Sequence, residues 1–229
     1  MENNTVSVSD IIDMPLKKIW QKYKNLDSDL LKKKFLAPKF ISCNSILFLG
    51  INPSYSGSTS ENKNSETVSY YELSNDSNEL TYFNKFSKIA QDSDIHWAHL
   101  DLLFFRETNQ KKVNELINKQ PDGVSFILDK LLLSKQLIEL SKPKLIIASN
   151  TKVRQLLGFD KDLEKGTNAW MDYSFCFDKI IGTHRIKTDC ELFNVPVFFT
   201  SMLSGQRALD RGSFERLQWH VNFVLGKIK

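Results

Sequence analysis

Cysteine, glycine, proline and long apolar runs are all scarce in this sequence, and each scarcity excludes something. The three cysteines, at positions 43, 176 and 190, cannot form a complete disulfide set. They also lack the paired spacing of a zinc site, and read as reduced thiols in an intracellular protein. Nine glycines and six prolines in 229 residues exclude a collagen-like or linker-like chain. No apolar run approaches the ~20 residues that a membrane-crossing helix needs. The opening Met1-Glu2-Asn3-Asn4 lacks the basic-then-apolar pattern of a secretion signal. An intracellular location without a membrane partner is therefore expected. Excess charge of one sign is missing too: 31 Lys and Arg stand against 27 Asp and Glu, a net +4. That mild basicity is compatible with a nucleic-acid partner and does not require one. Histidine is limited to four residues. His96 and His99 are spaced i,i+3 without an evident third ligand, so no metal is expected, and no other cofactor.

What is present is ordinary globular material: 41% hydrophobic and 25% charged residues, enough for one sizeable domain over residues 1–229. Residues 1–40 read as an N-terminal helical segment, with Ile11, Ile12, Leu16, Ile19, Trp20 and Tyr23 at helical spacing from Ser9 to Phe35. Lys32-Lys33-Lys34 reads as its solvated end. Four short apolar runs read as buried strands: Ser45–Ile51, Trp97–Phe105, Lys144–Ala148 and Val195–Thr200. Between them lie helical patterns at Leu80–Ala90, around Val113–Ile117, from Val124 to about Leu140, and at Thr151–Leu157. Residues 55–78, rich in Ser, Asn and Glu, read as a long pocket loop. Asp172–Ile186 reads as a β-hairpin or irregular insert, and Ser213 as the cap of a last helix carrying Phe214, Leu217, Val221 and Val224.

Strands alternating with helices imply an α/β three-layer sandwich around a mainly parallel, four-stranded sheet. Ligands in such folds sit beyond the carboxyl ends of the strands. Function is therefore to be sought at Gly50–Tyr55, Asp101–Arg106, Ser149–Asn150 and Thr200–Arg211.

The run "LFLGINPS" resembles the first motif of the uracil-DNA glycosylase superfamily, most closely the Gly-x-Asn-Pro form of its mismatch-specific, thymine-excising branch. "ELTYFNKFSKIA", "LSKPKLIIASNTKVRQLLG" and "NVPVFFTSMLS" resemble later family segments, in the family's order, over about Ser45 to Leu225. The resemblance implies a uracil-DNA glycosylase-like fold and a monofunctional enzyme of base excision. Its partner would be DNA, as a duplex with a flipped nucleotide or as a single strand, with no obligate protein partner. The target nucleotide leaves the stack, and the bond from base to sugar is hydrolysed.

By this resemblance Asn52 positions the attacking water. An amide orients water and cannot deprotonate it, so slow turnover is expected. Gly50, Ile51 and Pro53 would shape the base pocket. Ser54 stands where the uracil-specific branch has a tyrosine, leaving room at the C5 position of the ring. One of Tyr70 and Tyr71 would stack on the base while the other packs. Asp101 falls where an asparagine usually reads uracil. An ionised aspartate only accepts, which favours the amino group of a cytosine-type base, whereas a protonated one mimics asparagine. With Ser54, this points to a 5-substituted cytosine, such as occurs in some viral DNA, beside the family's default uracil. Excision of such a base would serve defence against modified foreign DNA. The second motif departs from the family. Met202 stands at the histidine position and cannot donate to the leaving base, so Ser201 and Ser204 are the candidates to replace it. Gln206, Arg207, Leu209 and Arg211 are the candidate DNA contacts, with Gln206 or Leu209 filling the gap left by the flipped base. The competing reading is a nucleic-acid-binding module of the same fold without catalysis.

Overall fold

The computed structural model describes residues 4–26, 28–54, 68–72, 82–159, 170–205 and 208–228. In chain order these form β1 (Thr5–Ser7), α1 (Val8–Lys22), α2 (Ser28–Lys32), β2 (Phe35–Pro38), β3 (Phe40–Ser42), β4 (Ile46–Gly50) and β5 (Val68–Tyr71). There follow α3 (Phe83–Ala90), β6 (Trp97–Asp101), α4 (Gln110–Lys119), α5 (Gly123–Ser141), β7 (Leu145–Ser149) and α6 (Thr151–Leu157). The last elements are β8 (Phe175–Asp178), β9 (Thr183–Ile186), β10 (Pro196–Thr200) and α7 (Arg211–Lys227).

The central sheet has the order β6-β4-β7-β10-β9-β8. Its first four strands run parallel and match the four apolar runs in the sequence. The sheet is larger than the four strands expected, because the β8–β9 hairpin joins it antiparallel along β10. An uncovered β10 would present a row of unpaired backbone groups, and the hairpin pairs them.

Alternation along the strands assigns the two faces. Leu47, Leu49, Ile146, Ala148 and Val197 enter the larger core with residues of α1, α4, α5 and α6. Ile46, Phe48, Leu145, Ile147 and Phe198 enter the smaller core with residues of α3 and α7. Helices thus cover both faces of a sheet whose strands alternate between two cores, which is why those strands read as unbroken apolar runs.

Several sequence expectations need correction. The N-terminal segment is not wholly helical: β1 pairs antiparallel with β3, and the helices end at Lys32. Within the presumed loop 55–78, Val68–Tyr71 is a strand, paired in parallel with β2. The second parallel strand stops at Asp101 rather than Phe105, where the chain turns back beneath β4. Asp210, not Ser213, caps α7: its side chain accepts from the Ser213 N–H at 3.0 Å.

Candidate functional site

In the parallel part of the sheet, β4 comes first in the chain and has β6 on one side and β7 on the other. The chain passes from β4 to β6 on one side and then crosses to β7 on the other, and in folds of this kind ligands bind beyond the carboxyl ends of the strands where the order reverses. Gly50 and Asn52 stand there, and Gly50 is in register with Asp101 at the end of β6.

The turn after β4 is clamped to the turn after β6. Leu102 and Leu103 donate their N–H groups to Gly50 and Ile51, at 3.0 and 2.9 Å, and Glu107 donates to Pro53 at 2.9 Å. The Asn52 amide completes the clamp, its Nδ2 donating to the carbonyls of Glu107 at 2.6 Å and Pro53 at 3.1 Å. Both amide hydrogens are thereby used, so Oδ1 must face the other way. There it accepts from Gln110 Nε2 at 3.2 Å, at the start of α4. A carbonyl oxygen with two lone pairs can hold one further donor, such as a water. Asn52 is half-buried, Ile51 and Pro53 are buried, and Ser54 is exposed.

Glu107 anchors this clamp from below. It is 4% exposed on its side chain and pairs with Lys33. Its Oε1 accepts from the Asn109 N–H at 2.8 Å. Burial alone would raise its carboxyl, but Lys33 and the Asn109 N–H outweigh it and hold the group below its ordinary value. Lys33 is therefore not part of a solvated helix end. It supports the strand-end turns from the first helical segment.

Asp101 lies against Gly50 so closely that a Cβ at position 50 would stand 2.1 Å from Asp101 Oδ1. Only glycine admits the carboxyl there. The Asp101 side chain is 13% exposed, and burial pushes it up to about 7. Behind it stands His99, 3% exposed, with Nε2 at 3.7 Å from Asp101 Oδ1. Burial holds His99 down at about 3, so the ring is neutral. Tyr71 closes the row, its hydroxyl 2.9 Å from His99 Nδ1. Burial, then the Asp101 charge, pushes the Tyr71 hydroxyl far above its ordinary value. Tyr82 and Phe83 stand edge-on to the His99 ring, at 5.8 and 5.5 Å.

The route by which Tyr71 reaches this place is indirect. Leu36 of β2 donates to the Phe104 carbonyl just after β6, at 2.8 Å, and β5 pairs with β2. Tyr70 points the other way and bonds to Asp13 of α1. Tyr70 thus packs, and Tyr71 is the tyrosine at the site.

The second-motif turn follows β10, two strands from β4, or about 10 Å away by sheet spacing. Ser201 is exposed and Ser204 half-buried. Met202 is 39% exposed and pairs with Ala208 in an isolated bridge, so it does not fill the core. Gln206 and Arg207 lie outside the described residues. Leu209 packs against the smaller core, which commits its side chain and leaves it poorly placed to enter a DNA stack. Arg211 opens α7 with a side chain 93% exposed, bonded to Glu215 at 2.8 Å. The structure therefore brings Gly50, Tyr71, His99 and Asp101 together, with Asn52 on the turn just beyond Gly50, and places Ser201, Met202 and Ser204 on the turn two strands away.

Sequence reasoning set His99 aside for want of a third metal ligand, took Lys33 for a solvated helix end, and did not single out Glu107 or Gln110. The signal for His99 was available: residues i and i+2 of a strand share a face, so a His-x-Asp strand end places both side chains together. Asn150, between β7 and α6, was named as a strand end without a role. Asn150 holds φ at 105°, a conformation unusual for any residue but glycine. Its N–H donates to Thr200 at 2.9 Å and its side chain caps α6 through the Lys152 N–H, also at 2.9 Å.

Among the described residues no cluster of His, Cys, Asp or Glu could hold a metal ion, and no helix is long and apolar enough to cross a membrane. The chain matches no family model, no curated protein and no solved structure.

Proposed function

We propose that this chain is a monofunctional DNA glycosylase that hydrolyses the N-glycosidic bond of a flipped pyrimidine. The observation that carries the reading is that Asn52 and Asp101 both stand at the carboxyl ends of neighbouring parallel strands, Asp101 in register with Gly50 and Asn52 two residues beyond that glycine. A water-orienting oxygen and a base-reading carboxyl are the two functions this hydrolysis needs at one place.

The substrate is a nucleotide swung out of duplex or single-stranded DNA. Asn52 Oδ1, turned outward because Nδ2 is spent on the Glu107 and Pro53 carbonyls, holds a water toward the anomeric carbon. As the bond breaks, the sugar becomes oxocarbenium-like and the base departs as an anion. Asp101 meets the edge of the base, and exposed Ser54 leaves space beside its C5 position. Ser201 and Ser204, on the turn after β10 two strands from β4, are the candidates to steady the departing charge from the far side of the base. Uracil is the default base, and a 5-substituted cytosine is the alternative that Asp101 and Ser54 favour. The biological setting is base excision or the removal of modified foreign bases inside the cell.

A second reading, a DNA-binding module without catalysis, draws on Met202. Its exposed thioether offers no hydrogen to a leaving base. An abasic-site assay separates the two. Duplexes carrying uracil, thymine mismatches or 5-substituted cytosines are incubated with the protein and cleaved with alkali. Strand breaks at one of these bases support the glycosylase and name its substrate. Binding without breaks on any duplex favours the module.

A further inference from the structure

Three observations at the end of β6 belong together. His99 is 3% exposed, yet its Nε2 has no hydrogen-bond partner among the described residues. That nitrogen faces Asp101 Oδ1 at 3.7 Å, at the spot where Gly50 lacks a Cβ. On the far side of the ring, Nδ1 meets the Tyr71 hydroxyl at 2.9 Å.

A buried phenol needs an acceptor for its hydrogen. Tyr71 finds it in His99 Nδ1, and this fixes the tautomer: the ring hydrogen is then on Nε2 and its dipole is aimed at Asp101. We propose that Tyr71 and His99 are positioning residues that govern whether Asp101 carries its proton, and thereby decide which pyrimidine edge the site accepts. This rests on the glycosylase reading for its substrate, though the coupling of the three side chains stands on geometry alone.

The two states differ by one proton lost to solvent. Protonated Asp101 donates its O–H to O4 of uracil and accepts from N3–H, as an asparagine would. Ionised Asp101 only accepts; it keeps the amino group of a cytosine-type base and repels O4 of uracil. His99 stays neutral in both states. The Nε2–H dipole favours the ionised state, and burial favours the protonated one. Among the described residues, the groups facing Asp101 are His99 on its own strand, Tyr71 from β5 and Tyr82 beside α3. Neither tyrosine ionises in the working range, because burial raises both hydroxyls.

The test has two arms. In the first, the carboxyl carbon of Asp101 is followed by NMR against pH, in the full chain without DNA. Wild type is expected to titrate near 7, and Tyr71→Phe about half a pH unit or more higher, because the phenol no longer fixes the tautomer. Titration of Asp101 in the ordinary carboxylate range, or an unmoved midpoint in Tyr71→Phe, overturns the coupling whatever the enzyme does. In the second arm, single-turnover excision of uracil and of 5-hydroxymethylcytosine is compared from pH 5 to 9. The ratio of uracil to cytosine-type excision is expected to fall as pH rises through the same midpoint. It should move with that midpoint in Tyr71→Phe and become independent of pH in Asp101→Asn. A ratio flat with pH in wild type overturns base reading by Asp101. Excision of neither base, with the NMR result as expected, refutes the glycosylase reading and leaves the coupled triad standing.

Discussion

The pairing of Asp101 with His99 has a consequence for stability as well as for the proposed base reading. His99 is held below its ordinary 6.5, at about 3, so the folded chain binds fewer protons there than the unfolded one. By itself this makes stability rise with pH between those values. Asp101 is held above its ordinary 3.8, at about 7, so by itself it makes stability fall as pH rises through that window. Where the windows overlap the slopes oppose and cancel: folding moves a proton between the partners without net uptake. Asp101→Asn removes the falling part. Chemical denaturation at a series of pH values should show the variant gaining on the order of 1 kcal/mol per pH unit between pH 4 and 6, against a nearly flat wild type. Asn52 allows a second prediction at this scale. Asn52→Asp replaces a donor with a carboxylate facing the Pro53 and Glu107 carbonyls. A general base introduced there should not speed excision. The variant is expected to lose about 1–3 kcal/mol of stability, measured by denaturant titration.

At the scale of elements, the site depends on turns held by distant parts of the chain. Lys33 follows α2, yet its pairing with Glu107 supports the clamp between the β4 and β6 turns. Lys33→Met should cost about 1–3 kcal/mol, because it leaves a buried carboxylate without its cation. The pH dependence carries a signature. Glu107 is held below its ordinary 4.5, so its contribution is present above that value and lost as pH falls through the lower folded value. Denaturation midpoints followed from pH 6 to 3 should show less acid loss in Lys33→Met than in wild type. This dependence on distant elements also explains what the sequence revealed and what it hid. The strands β4, β6, β7 and β10 were legible because each is buried on both faces and reads as an apolar run. Asn52 and Asp101 were legible as candidates because strand ends collect ligands in such folds. The short strand β5 was hidden among polar residues, and its partner β2 lies more than 30 residues earlier. The choice between Tyr70 and Tyr71 turns on that pairing, since neighbours in a strand face opposite ways. The Lys33–Glu107 pair spans 74 residues and leaves no local pattern at all.

For the whole molecule, the two cores divide the sheet's work unevenly. β4 and β7 have parallel neighbours on both sides and pack into both cores, so their backbone groups open only when the fold does. The β8–β9 hairpin forms the far edge of the sheet, with Phe177 and Ile180 exposed. Native-state hydrogen exchange should place the β4 and β7 amides at the global unfolding free energy, and those of β8 well below it. Equal protection along all six strands would contradict this division. The same architecture sets Asn52 in the turn just beyond β4, a central strand of the sheet. Asn150, at the end of the neighbouring strand β7, holds a backbone angle that only the surrounding structure can maintain, and such strain collects where a site must be fixed in place.

The central claim is that the Asn52 oxygen holds the attacking water, and single-turnover excision by Asn52→Ala tests it most directly, on whichever duplex the wild type cleaves. The rate is predicted to fall by about a hundredfold or more, with DNA binding retained, because the water loses its place against the anomeric carbon. An Asn52→Ala rate equal to that of the wild type would contradict the account.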